Sequence, residues 1–351
     1  MITIEQHVWG MTPEGEAIIR YTMRNEQGAE VALSNYGATI LSAIVPDREG
    51  KMADVVLGYK QPQGYFFDGP AMGKSVGRFA NRIALGRMTI EGEEYQLEIN
   101  NGRNHLHGGT KNFANRVWES RVETNRVVMS LLSEDGDQNF PGEMVVEAIF
   151  DFDDENQLEI TYLAKCDRTT VVNLTNHVYF NLDGEDAGTI HDHELQLNTS
   201  RTLEMSEYQI PTGEWLDVEG TAQDFRSFRR LGDGLESEFN HIRDFKGYDP
   251  PFPIDGWKAN ILGEVGALRS VKSGRMVKVL SSQPSVMIYT GNWLAGSPES
   301  KSGNRYVDYA GVAIECQNYP DAPNQPSFPS ALLKPGELYC QKIVYRFETF
   351  A

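Results

Sequence analysis

The chain is poor in cysteine, in long apolar runs and in secretory features. Its 351 residues contain three widely spaced cysteines, Cys166, Cys316 and Cys340, which fit a reducing intracellular compartment better than a disulfide framework. No stretch reaches the roughly 18 apolar residues of a membrane-spanning helix, so we expect no membrane segment. The opening MITIEQHVWG lacks the basic and apolar regions of a signal peptide. We therefore predict a cytoplasmic protein.

Positive charge and nucleotide-binding motifs are also scarce. The formal net charge is −18, with 32 Lys and Arg against 50 Asp and Glu. Such a surface repels phosphate backbones, so we expect no nucleic-acid partner, and a phosphorylated substrate is disfavoured as well. Neither GxGxxG after a strand nor GxxxxGK[ST] occurs, and the sequence therefore indicates no nucleotide site.

What the chain does contain is one short strand pattern after another. Apolar β-formers alternate or cluster, between turn residues, in Val127–Leu132, Met144–Phe152, Leu158–Ala164, His193–Leu197, Met276–Leu280, Val286–Tyr289, Val312–Cys316 and Gln341–Phe347. Many short strands separated by turns are typical of a β-sandwich or a barrel. We predict an all-β fold, a large antiparallel β-sandwich, that forms one domain over residues 1–351. The oligomeric state stays open.

Two segments depart from this pattern. A short helical turn is expected around Ser227–Leu231. The tract Gly247–Gly256, GYDPPFPIDG, is rich in glycine and proline and predicts a long loop.

The segment Asn173–Leu182, NLTNHVYFNL, predicts a β-strand that carries unusual polar groups. Its aliphatic and aromatic residues suit a half-buried pleated surface. Its three asparagines and His177 are costly to bury without hydrogen-bond partners. Such a strand either braces a structural network or builds a site, and for a single histidine the structural role is the commoner one.

Other polar residues stand in similar glycine-bounded or apolar surroundings. Glu315 lies between Ile314 and Cys316 in a strand, where a glutamate is rare unless it is paired. Asn81 and Arg82 lie within GRFANRIALG, and Asp249 precedes prolines that stiffen its loop. Each of these residues alone also fits an ion pair or a solvated turn.

Two histidine pairs invite a metal interpretation. His105 and His107 would share one face of a strand, and His191 and His193 have the same spacing. Neither pair has further ligands at zinc-finger spacing or within an HExxH pattern. We therefore predict no metal site.

Amide, carboxylate, imidazole and aromatic groups together suit a sugar. Each hydroxyl needs a directional donor and acceptor, while a ring face stacks on an aromatic side chain. We expect Tyr179, Phe180 and Trp293 to supply this apolar face.

The polar segments as a set resemble the aldose 1-epimerase (galactose mutarotase) family. The segments are GRFANRI, NNGRNHLHGG, NLTNHVYFNL, IPTGE, GYD, SGR, YTGN, IECQNYPDAPNQPSFPS and LKPGE, in the family's order from about Gly77 to Glu337. The resemblance implies a galactose mutarotase-like sandwich that binds a free monosaccharide in a cleft. It also implies cofactor-independent interconversion of the α and β anomers of a hexose.

The resemblance also implies roles for six residues. His177 is expected to be the general acid and Glu315 the general base. The residues expected to bind and orient the substrate are Asn81, Arg82, His107 and Asp249. A neighbouring carboxylate is expected to raise the pKa of His177 and so keep it charged.

Two residues depart from the family pattern. Pro250 stands where family members often have histidine, and Met287 where many have glutamine, so the pocket rim and the preferred sugar stay open.

The alternative functions are a non-catalytic sugar-binding module, a glycoside hydrolase or lyase with Asp249 and Glu315 as its carboxylate pair, and a hexose-6-phosphate epimerase. The last would need a basic pocket, whereas the cluster Arg226, Arg229 and Arg230 is expected to decorate a turn or to pair with acidic residues.

Overall fold

The fold begins with five strands that pair in sequential order. In the computed structural model, which describes residues 2–237 and 243–351, these strands are β1 (Thr3–Met11), β2 (Ala17–Arg24), β3 (Glu30–Ser34), β4 (Thr39–Pro46) and β5 (Met52–Asp54). All four pairings are antiparallel.

Shorter strands make up the middle of the chain. They are β6 (Ser75–Val76), β7 (Arg82–Ile83), β8 (Arg87–Ile90), β9 (Glu93–Gln96), β10 (His105–Leu106), β11 (Glu119–Glu123), β12 (Arg126–Ser133), β13 (Met144–Phe152), β14 (Gln157–Cys166), β15 (Thr170–Val171), β16 (Thr175–Asn176) and β17 (Tyr179–Phe180). Single 3₁₀ turns occur at Pro62–Tyr65, Ala84–Gly86, Phe113–Asn115 and Asp137–Asn139.

The C-terminal part is again mostly strand. It contains β18 (His193–Leu197), β19 (Arg201–Met205), β20 (Pro211–Asp217), β21 (Arg229–Arg230), β22 (Pro251–Pro253), β23 (Gly263–Ser270), β24 (Arg275–Ser281), β25 (Ser285–Tyr289), β26 (Val312–Gln317), β27 (Leu332–Leu333) and β28 (Tyr339–Thr349). The helix α1 (Leu231–Leu235) and a 3₁₀ turn at Ala322–Asn324 interrupt them. None of the helices in the described residues has the length and apolar character to cross a membrane.

Two antiparallel sheets pack around the main core, to which the β1–β5 sheet also contributes side chains. The larger has the order β11-β12-β13-β14-β28-β24-β23-β18-β21, and the smaller has the order β17-β26-β25-β22. In β13 every second side chain is buried, which matches the period of two in its sequence. Phe180 of β17 packs on Tyr345 and Phe347 of β28, with ring centroids 5.1 and 6.1 Å apart. The predicted antiparallel sandwich and all eight predicted strands are confirmed.

Strand β26 separates the core from the opposite face of the smaller sheet. Val312, Ile314 and Cys316 belong to the main core. Because successive side chains of a strand point to opposite faces, Glu315 lies on the other face. The same alternation in β25 places Tyr289 on the face of Glu315.

Three local predictions need correction. Asn173–Leu182 is not one strand, because β16 and β17 are separated at His177 and Val178. The Gly247–Gly256 tract includes β22, which tolerates its prolines because it lies at the edge of the smaller sheet. The helical segment begins at Leu231, where the predicted turn ends.

A buried ion pair anchors the loop that leads to β6. The side chains of Lys74 and Asp68 are 0% and 1% exposed and form a salt bridge. Asp68 Oδ2 also accepts a hydrogen bond from the Met72 backbone N–H at 2.8 Å, and Lys74 Nζ donates to Asn115 Oδ1 at 3.1 Å. The backbone carbonyl of Lys74 accepts from the His177 N–H at 2.8 Å, so the pair reaches the segment between β16 and β17.

Replacing Lys74 by alanine should therefore destabilise the protein by about 3–5 kcal/mol, because it leaves the carboxylate of Asp68 buried without its charge partner. Urea unfolding followed by tryptophan fluorescence measures the change. Lys278→Ala is the matched control, since it breaks a half-exposed pair with Glu348, and we expect a loss of only about 0–1 kcal/mol. Equal losses for the two variants would contradict the structural role of the Lys74 pair.

Candidate active site

A cavity of about 740 Å³ opens on the outer face of the smaller sheet. It brings together residues that are far apart in the chain, from Gly69 to Glu315. All six residues predicted from the sequence line it: Asn81, Arg82, His107, His177, Asp249 and Glu315.

His177 and Glu315 form the floor of this cavity. His177 Nε2 lies 3.3 Å from Glu315 Oε1, and the two side chains are 7% and 3% exposed. Glu315 is fixed by the ladder of β26. His177 is held by its backbone, whose N–H donates to the Lys74 carbonyl and whose carbonyl accepts from the Gly73 N–H at 3.0 Å.

The asparagines around His177 brace the backbone and make no hydrogen bond to the imidazole. Asn173 Nδ2 donates to the Ala80 carbonyl at 3.1 Å, and its Oδ1 accepts from the Asn318 N–H at 2.8 Å. Asn176 Nδ2 donates to the Gly73 carbonyl at 3.0 Å. These asparagines therefore do not orient the imidazole directly. They hold the neighbouring loops in place.

Ring contacts orient the imidazole of His177. The ring centroid of Tyr179 lies 5.0 Å away, that of His107 5.7 Å away and that of Tyr289 6.2 Å away. His107 and Tyr289 meet it edge to face, a geometry that aromatic pairs favour.

Asn81, Arg82 and His107 form one wall, built on the pairing of β7 with β10. Arg82 lies opposite Leu106 in this ladder, and Arg82 Nε donates to Asn101 Oδ1 at 3.1 Å. The backbone N–H of Asn81 donates to His107 Nδ1 at 3.0 Å. The ring proton of neutral His107 is therefore on Nε2, where it can be donated to a ligand.

Asp249 is held by the YTGN segment. The N–H of Tyr248 donates to Thr290 Oγ1 at 3.0 Å, and Asn292 Nδ2 donates to the Tyr248 carbonyl at 3.3 Å. A Cβ on Gly247 would lie 2.1 Å from Asn292 Oδ1, so the close approach of the two loops requires glycine there.

Burial shifts the protonation of the floor pair. Desolvation lowers the pKa of His177 to about 4. Desolvation, and then the negative charge of Asp249, raise the pKa of Glu315 well above its ordinary value, while Arg82 opposes the rise. The expectation that a carboxylate keeps His177 charged is wrong for this structure, because desolvation prevails. Burial thus favours the uncharged form of both groups.

The second carboxyl group is also perturbed. Burial raises the pKa of Asp249 from 3.8 to about 6, opposed by the charge of Arg82 and by a hydrogen bond from Gln209. Gln209 Nε2 donates to Asp249 Oδ2 at 2.8 Å. At neutral pH Asp249 is the ionised acceptor of the site, beside the Arg82 cation.

The aromatic lining differs partly from the expectation. Tyr179 and Trp293 line the cavity, and Tyr289, which lies in the YTGN segment, joins them. Phe180 does not, because it points from β17 into the core. Its position one residue after Tyr179 already gives it the opposite face of the strand.

The rim is formed by residues that the sequence did not single out. Pro250 and Met287 do not line the cavity, and Met287 lies buried beside Glu315 in the β25–β26 ladder. Tyr208 and Gln209 line the cavity instead. The only sequence signal for them is the IPTGE segment that follows directly.

The two histidine pairs are not arranged as metal ligands. His105 is buried against Phe140, whereas His107 leaves the strand with a φ of 55° and faces the cavity, so the expected common face is wrong. His193 Nε2 accepts from the Leu182 N–H at 2.8 Å. Across residues 2–237 and 243–351, no group of three His, Cys, Asp or Glu side chains is placed to hold a metal.

Comparison with known proteins identifies the family. The sequence model described as aldose 1-epimerase matches residues 20–346. The chain belongs to the aldose 1-epimerase family. It is 40% identical over 349 residues to galactose mutarotase of Bos taurus, with 99% of each chain covered. It is 36% identical over 340 residues to aldose 1-epimerase of Escherichia coli K12, which covers 96% of this chain and 97% of that one.

Solved structures of this family share the fold. An aldose epimerase homologue from C. elegans has a TM-score of 0.85 at 33% identity and covers 93% of this chain and 98% of its own. Galactose 1-epimerase from Lactobacillus acidophilus has a TM-score of 0.86 at 27% identity, with both chains fully covered. These matches confirm the galactose mutarotase-like sandwich that the sequence predicted.

The raised pKa of Asp249 predicts how the folding stability of this aldose 1-epimerase family member changes with pH. A carboxyl group that binds its proton more tightly in the folded state lowers stability as pH rises through its unfolded and folded pKa values, here 3.8 and about 6. Asp249→Asn should therefore be more stable than the parent at pH 7.5 by about 1–2 kcal/mol. This range is below the full free energy of the pKa shift, because solvent on the open side of the pocket screens the charge.

This gain should disappear near pH 4, where the carboxyl group is protonated in both states. Thermal unfolding at the two pH values measures it. The same substitution at exposed Asp186 is the control. A loss of stability in the Asp249→Asn protein at pH 7.5 would contradict the raised pKa.

Proposed function

We propose that the protein is an aldose 1-epimerase that interconverts the α and β anomers of free aldohexoses such as glucose and galactose, with His177 as general acid and Glu315 as general base. The observation that carries this proposal is the His177–Glu315 contact of 3.3 Å on the floor of the cavity. Family membership and the names of the relatives, galactose mutarotase and aldose 1-epimerase, support the same reaction.

Anomer exchange needs one proton removed and one delivered. The base removes the proton of the anomeric hydroxyl, and the acid protonates the ring oxygen, so the C1–O5 bond breaks and an aldehyde forms. Rotation about C1–C2 and reclosure with the roles reversed give the other anomer. The residues regain their starting protonation, so the cycle requires no net proton supply.

Ring opening needs Glu315 as the carboxylate base and His177 as the imidazolium acid. Proton transfer across the 3.3 Å contact from a protonated Glu315 to His177 Nε2 gives both forms together. Sugar hydroxyls that donate to Glu315 favour the carboxylate, because hydrogen bonds to an ionised acceptor are strong. Sugar binding thus prepares the pair for the reaction.

The walls supply groups that match sugar hydroxyls. Arg82 and neutral His107 donate, Asp249 accepts, and the side-chain amide of Asn81 can do both. Tyr179 and Tyr289 offer apolar ring faces beside the reacting pair. We assign these groups to binding and orienting the sugar.

We expect Glu315→Gln and His177→Asn each to lower kcat for anomerisation by about 10²–10⁴, because each removes one proton-transfer group. Polarimetry of freshly dissolved α-glucose and α-galactose measures the rate. Glu5→Gln and His7→Asn, on exposed β1, are the matched controls. A folded Glu315→Gln protein with near-normal kcat would overturn the assignment of the base.

The same assay separates the competing functions. A sugar-binding module would retain sugar affinity without accelerating anomerisation. A hydrolase or lyase would release reducing ends from glycosides, which a mutarotase does not do.

We also predict discrimination against phosphorylated sugars. The cavity is lined by the carboxyl groups of Glu207, Asp244, Asp249 and Glu315 and by two guanidinium groups, Arg82 and Arg103. The cluster at Arg226–Arg230 is engaged elsewhere, since Arg226 pairs with Asp224, and Arg230 with Asp192 and Asp233.

We therefore expect kcat/KM for glucose 6-phosphate to be about tenfold or more below that for glucose, because like charges repel in a confined site. Both sugars are assayed by polarimetry at matched ionic strength. Faster turnover of the phosphate ester would instead favour a hexose-6-phosphate epimerase.

Three further expectations from the sequence stay predictions. They are the cytoplasmic location, the absence of a nucleic-acid partner and the single domain over residues 1–351. The last is supported by a cavity whose lining spans Gly69 to Glu315.

A further inference from the structure

The hairpin between β19 and β20 reaches across the mouth of the cavity. Its tip closes with two hydrogen bonds, from the Ser206 N–H to the Ile210 carbonyl and from the Gln209 N–H to the Ser206 carbonyl, both 2.9 Å. On one side the carbonyl of Tyr208 accepts from Asn104 Nδ2 at 3.0 Å. On the other side Gln209 contacts Asp249. The tip thus joins two walls of the cavity that the sheets leave separate.

Gln209 has a backbone that its residue type disfavours. Its φ is 57°, in the left-handed region that glycine and asparagine adopt far more readily. A turn selected for stability alone would therefore favour glycine at this position. The side chain offers a reason for the glutamine, because its amide lines the cavity and donates to Asp249.

We propose that Gln209 is the positioning residue for Asp249, and that its amide fixes the carboxylate in the orientation that accepts a sugar hydroxyl. This inference rests on the proposed function, because it assumes that Asp249 binds the sugar. It adds a determinant of sugar recognition that lies outside the β7–β10 pairing and the β25–β26 ladder.

The surroundings of Asp249 explain why such a residue matters. The charged and titratable groups that act on it are Arg82 from β7, Tyr289 from β25 and Glu315 from β26. The chain position after it is Pro250, which has no N–H to donate. Gln209 Nε2 therefore supplies a directed neutral donor to this carboxylate.

Gln209→Leu removes this donor and keeps a side chain of similar size. We expect KM for galactose to rise about tenfold and kcat to change less than about twofold, because a hydrogen bond to a charged group that positions the substrate is lost. Gln209→Asn, whose amide is one methylene shorter, should show a similar rise. Gln209→Glu, which adds a negative charge beside Asp249, should raise KM further.

The pH profile separates positioning from simple packing. Gln209 lowers the pKa of Asp249, so its removal raises that pKa above the present value of about 6. The acidic limb of kcat/KM should therefore move to higher pH in Gln209→Leu. The ratio of variant to parent KM should fall as pH rises through this limb. A loss of packing alone would give a ratio that does not depend on pH.

Two further variants test the role of the turn. Gln209→Gly relieves the backbone strain, and we expect an unchanged or higher Tm together with the same rise in KM. Thr212→Val removes a hydrogen bond to Glu204 on the same hairpin, away from the cavity, and should leave KM unchanged. An unchanged KM in both Gln209→Leu and Gln209→Gly would overturn the inference.

A double-mutant cycle with Asp249→Asn distinguishes the positioning role of Gln209 from the sugar-binding role of Asp249. If Gln209 acts through Asp249, the leucine substitution should change KM less than about twofold in the Asp249→Asn background. A raised KM in Asp249→Asn with a normal KM in Gln209→Leu would refute the inference alone. A normal KM in Asp249→Asn would refute the proposed binding role of Asp249, on which the inference rests.

Discussion

The site depends on the burial of two proton-transferring groups against a sheet whose other face is the protein core. Glu315 lies on a strand whose neighbouring residues fill that core, so it has little freedom to move toward solvent. Desolvation then drives the pKa values of Glu315 and His177 in opposite directions, and each shift favours the uncharged form. The charges of Arg82 and Asp249 adjust this balance.

The loops around the site are positioned mainly by backbone and amide hydrogen bonds. Asparagine side chains join segments distant in sequence, as Asn173 does between Ala80 and Asn318. Thr290 and Asn292 of the YTGN segment likewise hold the loop of Asp249 through hydrogen bonds to the backbone of Tyr248. Much of the polar content that stands out in the sequence is therefore structural. It serves the reacting residues by fixing the chain on which they stand.

The sequence predicted the sheets well and the site in part. Strands such as β13 follow from strict alternation, because a half-buried strand imposes that period. The six site residues were found through their similarity to a known family. Gln209 and Tyr208 were missed, because their place at the cavity depends on a hairpin tip and on no periodic pattern. The pKa of His177 was predicted in the wrong direction, because its degree of desolvation is a property of the folded structure.

The hairpin of β19 and β20 offers a route for change in sugar preference. Within the described residues these two strands pair with each other and form a ladder with no other strand. A substitution at the tip alters the mouth of the cavity, while the segment between β16 and β17 and strand β26, which hold His177 and Glu315, lie outside the hairpin. A change of sugar preference can thus arise at the hairpin without any change in the residues that transfer protons. Recognition and proton transfer occupy separable parts of this fold.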